Sequence, residues 1–552
     1  MLEVSLLSSL EKVMPDEKIT AKPLKKISVF SGERFNFQVA FRDSECFKYR
    51  FALKHNGIAE INTYDVMCVP IGMATNSYSM DDTNYLTHKS CLMPDWLTPK
   101  SEDFVTPNNC FKSVWFEVCG IEKAGTYKFT VDFTRIDSIS PYILNKDVNC
   151  SVSLEVTVLP ARLPEQDLKF TQWFHTDCIS AFYGVDTFGE KHWELIESFM
   201  QAAHHGGINM IYVPVFTPPL DTAIGGERPT VQLTDIYLND GKYSFNFDKL
   251  HRFIALAKKI GFKYFEMAHL FTQWGAKFTP KIIADISGEK KPIFGWDIEA
   301  ADARYEEFLS AFLPALKKQL EDEGVLENTY FHVSDEPLED HLESYSYART
   351  LAKKYLSGCR LIDAASHYEI YQKVKFEEPI VSTNSIQPYI DNRAENLWAY
   401  YCCCETTGRS NRLMAMPSYR TRFLAYQLFK YDIKGFLHWG FNFYYSQCSL
   451  RLLNPFVETD AGSAFPSGDP FSVYPGRNGA EPSLRLLVFY DGLQDLRALQ
   501  MLKGLIGKEK TVELIEKICG EEIVFEHCAE SAETLLRLRE AINSEIMKNL
   551  SK

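Results

Sequence analysis

The sequence predicts an α/β protein: an N-terminal β-sandwich, then a (β/α)8 TIM barrel, then a short helical C-terminal extension. Three observations carry that reading. Before about residue 160, apolar residues recur in short runs with a period of two. After it, strand-like and helix-like stretches alternate, with eight strands in all. Beyond about residue 505 only helical patterns remain. The expected units are 1–164, 165–505 and 506–552.

Within the first unit, 35–41, 113–118 and 152–158 are short apolar or alternating runs and 125–133 alternates cleanly, with Gly, Asn, Asp and Pro turns between them, as in a sandwich. Leu159-Pro160-Ala161-Arg162-Leu163-Pro164 punctuates the chain and marks the boundary. The barrel strands fall at 168–175, 208–215, 262–270, 329–334, 360–364, 379–383, 397–402 and 435–442. Helices fall at 190–205, 248–260, 304–323, 338–356, 419–431 and 482–505, with shorter ones at 368–374 and around Asn392. The extension reads as helices at 511–519 and 531–548, placed on the outside of the barrel.

Composition excludes several classes. The 552 residues are 45% hydrophobic and 24% charged, the balance of a globular chain. A net charge of -14 without basic clusters excludes a nucleic-acid partner. No run of 18 apolar residues exists, so no membrane span is expected. The N-terminus has no basic region, and Glu11 and Lys12 interrupt its apolar run, so no secretory signal is visible and a cytoplasmic location is expected. The 14 cysteines contain no C-x-x-C; outside Cys402-Cys403-Cys404 the closest pairs are nine apart. Free thiols, no metal and no cofactor are therefore expected.

Barrel enzymes carry their reacting groups at the C-terminal ends of the strands. Those ends offer Trp173 and His175, His269 and Trp274, Asp335 and Glu336, Asn384, Tyr400 and Tyr401, and Trp439, with His332 just inside the fourth strand and Asp469 on a later loop. The strongest signal is Tyr330-Phe331-His332-Val333-Ser334-Asp335-Glu336-Pro337, where two adjacent carboxylates end an apolar strand. The bland alternative is that Asp335 caps the following helix, whose first turn Pro337 would suit. Glycosidic cleavage needs one protonated carboxyl at the leaving oxygen and one negative charge near the oxocarbenium-like centre. Neighbouring carboxylates are badly placed to flank a sugar from opposite faces. They suit a substrate-assisted route, in which the sugar's own 2-acetamido oxygen attacks the anomeric carbon.

The segment from His332 to Pro337, with Gly261-Phe262-Lys263-Tyr264-Phe265-Glu266-Met267-Ala268-His269-Leu270-Phe271-Thr272-Gln273-Trp274-Gly275, resembles glycoside hydrolase family 123. So do Gly435-Phe436-Leu437-His438-Trp439-Gly440, Gly468-Asp469-Pro470-Phe471-Ser472-Val473-Tyr474-Pro475-Gly476, and Pro482-Ser483-Leu484-Arg485-Leu486 with Asp491-Gly492-Leu493-Gln494-Asp495. The resemblance implies a sandwich followed by a barrel, and a retaining, exo-acting β-N-acetylgalactosaminidase on oligosaccharides or glycolipids. It implies that Asp335 orients and stabilises the acetamido group and that Glu336 is the acid/base.

Other assignments are less specific. Trp274 and Trp439 are walls for the sugar ring or ordinary barrel packing. Tyr401 is the candidate hydroxyl donor to the acetamido oxygen, with Tyr400 as alternative, because strand register decides which faces inward. Asp469 is a sugar-hydroxyl ligand or a turn residue. His269 and His332 are site residues or interior histidines. Competing functions are a β-N-acetylglucosaminidase, a conventional two-carboxylate glycosidase using Glu266 or Glu405 beside Glu336, and a non-catalytic glycan-binding barrel.

Overall fold

The computed structural model describes residues 2–45, 47–57, 59–76, 80–100, 102–136 and 148–551. Alternation builds its first layer. Along Gly125–Ile136, Phe129, Val131 and Phe133 are buried while Lys128 and Thr130 are not. This strand lies in a five-stranded sheet ordered Lys26–Phe30, Cys150–Leu159, Gly125–Ile136, Lys48–His55, Phe104–Val105. A second sheet runs Leu2–Ser8, Phe35–Asp43, Lys112–Cys119, Glu60–Ile71, Cys91–Pro99. Phe35 and Phe37 of the second sheet meet Phe129 of the first at 5.7 and 6.1 Å, so the two inner faces share one core.

Eight parallel strands then close a barrel: Lys169–Gln172, Met210–Val213, Tyr264–Met267, Thr329–His332, Arg360–Ala364, Glu378–Ser382, Trp398–Tyr400 and Gly435–His438. The last pairs with the first from Lys169↔Gly435 to Gln172↔His438. Gly435 is required there, since a Cβ would lie 2.1 Å from the Trp398 ring. Most of these strands are shorter than the sequence predicts. Beyond the ladder, side chains take over the backbone partners: the His175 N–H donates to Asn442 Oδ1 at 2.8 Å. The residues freed in this way form the rim.

Helices Glu190–His205 and Asp248–Ile260 start and stop where predicted, each ended by a glycine. The helix expected at 338–356 instead begins at Leu342, after a 3-10 turn over Glu339–His341. Asp335 is therefore too far away to cap it. A four-stranded sheet was not anticipated: Asp235–Asn239 and Lys242–Asn246 turn through Asp240-Gly241, and Ile282–Ile286 and Glu289–Phe294 turn through Ser287-Gly288. All four turn residues have positive φ, as a type I′ hairpin turn requires. Tyr243 and Phe245 pin this sheet to Phe308 and Phe312 of helix Ala303–Asp322.

Buried ion pairs fasten sandwich to barrel. Asp95 accepts from Arg485 Nε and Nη2 at 2.7 and 3.0 Å and from the Tyr474 hydroxyl at 2.6 Å. On the C-terminal helix Ala532–Leu550, Arg539 pairs with Glu33 of the sandwich and with Asp495, at 2.5 and 2.8 Å. Asp495 lies on the helix Leu484–Ile506 that follows the last barrel strand. Among the described residues every cysteine is a free thiol, and no helix is long and apolar enough to cross a membrane.

Candidate active site

The site starts from one buried carboxylate. Glu266 points inside the barrel from the third strand and accepts from Thr171 Oγ1 (2.6 Å), Trp173 Nε1 (2.8 Å) and His332 Nε2 (2.5 Å). The other face of His332, its Nδ1, stands 3.5 Å from Asp363 on the fifth strand. Burial alone would depress the His332 pKa, but the two carboxylates outweigh it and raise it to about 9, so the ring is an imidazolium at neutral pH. His269 stacks on it with ring centroids 4.2 Å apart, and burial followed by that charge drives the His269 pKa far down. Tyr212 bonds His269 Nδ1 at 2.9 Å, while Nε2 has no partner among the described residues. A buried polar atom left open in this way is what a ligand or ordered water satisfies.

Asp363 shapes the next step of the chain. Its carboxylate accepts the backbone N–H groups of Val333 (2.8 Å) and Ser334 (3.2 Å), turning the fourth strand outward. The Trp274 N–H donates to the Asp335 carbonyl at 2.9 Å, tying this turn to the third-strand loop. Trp274 sits at φ +57°, and Gly275 follows at +104°, where a Cβ would fall 2.3 Å from the His341 ring. Glu336 itself is left-handed at φ +40°. For a side chain with a Cβ this conformation is strained, and such strain persists where a particular orientation is enforced.

The two carboxyls thereby have different surroundings. Glu336 accepts a short hydrogen bond from the Tyr400 hydroxyl, which is 2.9 Å from Ser366 Oγ, itself accepting the Ser382 N–H at 3.0 Å. The Asp335 carboxylate has no hydrogen-bond donor among the described residues. Burial raises both pKa values, Asp335 the further because the Glu336 charge adds to it, while the His332 imidazolium pulls Asp335 back. For Glu336, the Tyr400 bond and His367 oppose the rise, while Cys404 adds to it.

Around this pair stand the remaining candidates. Trp274 is 44% exposed and offers an open face beside Asp335. Trp439 is half-buried, with its indole N–H donated to Asp469 Oδ2 at 3.0 Å. Asn384 is exposed and donates to the Cys404 carbonyl at 3.2 Å. Four expectations need correction. Trp173 is buried beneath the pair, with its N–H spent on Glu266. His175 is buried, bonds the Trp439 carbonyl at 3.0 Å and has its pKa driven to about 3 by burial and Arg228. Tyr401 points away from the lumen, against Phe436 and His438, so Tyr400 is the inward tyrosine. Asp469 is fully buried and not on an open turn; its Oδ2 holds Trp439, and its Oδ1, 3.3 Å from His438 Nε2, has no hydrogen-bond partner among the described residues.

Sequence reasoning gave Glu266 only as a second carboxylate for a conventional pair with Glu336 and missed Asp363. Both had a signal: a lone carboxylate inside an apolar strand, Tyr264-Phe265-Glu266-Met267 and Leu361-Ile362-Asp363-Ala364, is buried and must be paired.

A closed barrel whose strand ends join two neighbouring carboxyls to open aromatic faces is the architecture of a barrel glycoside hydrolase. Residues 173–502 match the family described as glycoside hydrolase 123, catalytic domain, and the chain belongs to that family. Among solved structures, a family 123 glycoside hydrolase from Clostridium perfringens, studied for glycolipid glycan hydrolysis, covers 100% of both chains at 16% identity with a TM-score of 0.73. A family 10 xylanase from Thermobacillus composti covers 59% of this chain and 97% of its own at 12% identity, with a TM-score of 0.31. A search of curated proteins gave no match.

Proposed function

We propose that this hydrolase removes terminal β-linked N-acetylgalactosamine from glycolipid or oligosaccharide glycans, with retention and by participation of the 2-acetamido group. The observation that carries the reading is the open valence of Asp335. The carboxylates around it are engaged: Glu266 by three donors, Asp363 by two backbone N–H groups and the Tyr345 hydroxyl, and Glu405 by Ser382 Oγ and by the Cys402 N–H at 2.7 Å. Glu266 and Glu405 are thus poor second carboxylates for a conventional pair. Asp335, beside the acid, has no donor among the described residues, and an acetamido N–H supplies one.

Asp335 accepts that N–H and turns the acetamido oxygen onto the anomeric carbon. The bond also stabilises the charged form of Asp335, reversing the rise that burial imposes in the empty site. Glu336, whose pKa burial raises, gives its proton to the leaving oxygen as the glycosidic bond breaks. The anomeric carbon is then bonded to the acetamido oxygen in an oxazolinium ion, facing the negative charge of Asp335. Glu336, now ionised, takes a proton from water as that water opens the ring, which restores both carboxyl groups and the β configuration. Tyr400 fixes Glu336, and Trp274 and Trp439 wall the sugar.

The test is hydrolysis of para-nitrophenyl β-glycosides. The N-acetylgalactosaminide should be cleaved, the N-acetylglucosaminide less well and the plain galactoside scarcely at all, and a thiazoline mimic of the oxazoline should inhibit tightly. Efficient cleavage of the plain galactoside with no thiazoline inhibition would hand the site to a conventional carboxylate pair.

A further inference from the structure

The loop leaving the seventh barrel strand carries Cys402-Cys403-Cys404, and its sulfurs converge. In an extended strand, neighbouring side chains point to opposite sides. Here the chain turns at Cys403 and Cys404, and the three Sγ atoms come within 4.8 Å of one another, with Cys403 and Cys404 at 3.7 Å. The turn is held from outside. The carbonyl of Cys402 accepts from Asn411 Nδ2 (2.7 Å), that of Cys403 from Asn76 Nδ2 (3.2 Å) and that of Cys404 from Asn384 Nδ2 (3.2 Å). Each carbonyl is therefore engaged by a side-chain amide, and the sulfurs share one side of the turn. None of the three is fully buried, and Cys404 is exposed, so the group is open to solutes.

We propose that Cys402, Cys403 and Cys404 form a three-thiolate site for a soft, closed-shell cation such as Zn2+ or Cd2+, at the rim of the active site. Tetrahedral zinc with sulfur at about 2.3 Å needs sulfurs about 3.8 Å apart, which the Cys403–Cys404 spacing already meets. Thiolates prefer such ions to hard ones, and each thiol loses its proton as the cation binds. With three protein ligands the fourth position is open to water. Two residues upstream, Tyr400 holds Glu336, and Asn384 ties Cys404 to the end of the sixth strand. A bound cation thus sits beside the acid/base and slows hydrolysis. That second half rests on the role assigned to Glu336; the binding half does not.

Both halves are read on the reduced, full-length chain kept in a phosphine reductant. Cd2+ titration should produce a cadmium–thiolate charge-transfer band that saturates at one equivalent with three thiolates per ion. In Cys404→Ser and in Cys403→Ser/Cys404→Ser the affinity should fall at least a hundredfold, with unchanged thermal unfolding confirming that both variants fold. Cd2+ or Zn2+ should inhibit wild-type hydrolysis of the aryl N-acetylgalactosaminide, reversibly on chelation, and should leave the double variant unaffected. An unchanged band in the double variant overturns the site. A full band with undiminished hydrolysis overturns the inhibition alone, and the metal-free rate tests the Glu336 reading separately.

Discussion

The two sides of the barrel wall carry polar networks of similar composition and opposite use. On the lumen side, Glu266 and His332 form a hydrogen-bonded stack that Asp363 flanks from the wall, and beyond it stands Asp335, with no donor among the described residues. Behind the wall, Arg412 bonds Gln172, His438 Nδ1 at 2.7 Å and the carbonyls of Gly440 and Asp469. Burial and the Arg412 charge keep His438 neutral, its pKa far below the ordinary value. A histidine between two carboxylates supports chemistry; one beside a guanidinium supports a fold. Tyr400 and Tyr401, adjacent in sequence, fall on opposite sides of this division.

Four experiments would sharpen or break that contrast. The largest effect is expected from Asp335→Asn, which keeps the shape and removes the charge facing the oxazolinium. On acetamido substrates kcat should fall by roughly two to three orders of magnitude, about 3–4 kcal/mol, while KM moves little. Near-normal kcat would remove Asp335 from the mechanism.

Next is His332. Its pKa is raised from 6.5 to about 9 on folding, so its stabilisation is complete below pH 6.5 and is lost as pH rises through 9. The size is on the order of 3 kcal/mol. Denaturant unfolding of wild type against His332→Gln should therefore show a gap that narrows steadily as the pH climbs. A gap independent of pH would mean that the ring is not charged.

Tyr400→Phe should cost about tenfold in kcat/KM, the scale of one hydrogen bond to a charged group. Because the tyrosine lowers the Glu336 pKa, its loss should also move the alkaline limb of the pH–rate profile upward. A downward shift would contradict the bond. Tyr401→Phe should change least, within about twofold in rate and 0.5 kcal/mol in stability, since its buried hydroxyl has no partner among the described residues. If activity fell further for Tyr401→Phe than for Tyr400→Phe, the assignment of the two faces would be wrong.

The strand–helix alternation was legible because burial on both faces leaves continuous apolar runs, and the family resemblance rested partly on the same strand ends and partly on the later segments 468–476 and 482–495. The four-stranded sheet was missed although Asp240-Gly241 and Ser287-Gly288 are plain hairpin signals, because strands such as Lys242-Tyr243-Ser244-Phe245-Asn246 read as polar loop. Asp335 and Glu336 stood out as charges ending an apolar strand. The choice between Tyr400 and Tyr401 did not, since a period of two makes neighbours equivalent until one pairing is known. Spacing rules built on C-x-x-C also passed over the three consecutive cysteines, because only a turn can bring adjacent sulfurs together.

Arg539 has a consequence for how the chain reaches this structure. It joins Glu33, 506 positions earlier, to Asp495 on the barrel helix. The sandwich is synthesised first, yet one of its buried acids stays without its counter-charge until the C-terminal helix has emerged and docked. Closing so long a loop is slow, and intermediates accumulate in chains of this length. Refolding should therefore end in a late docking phase, set by the last helix and not by the barrel.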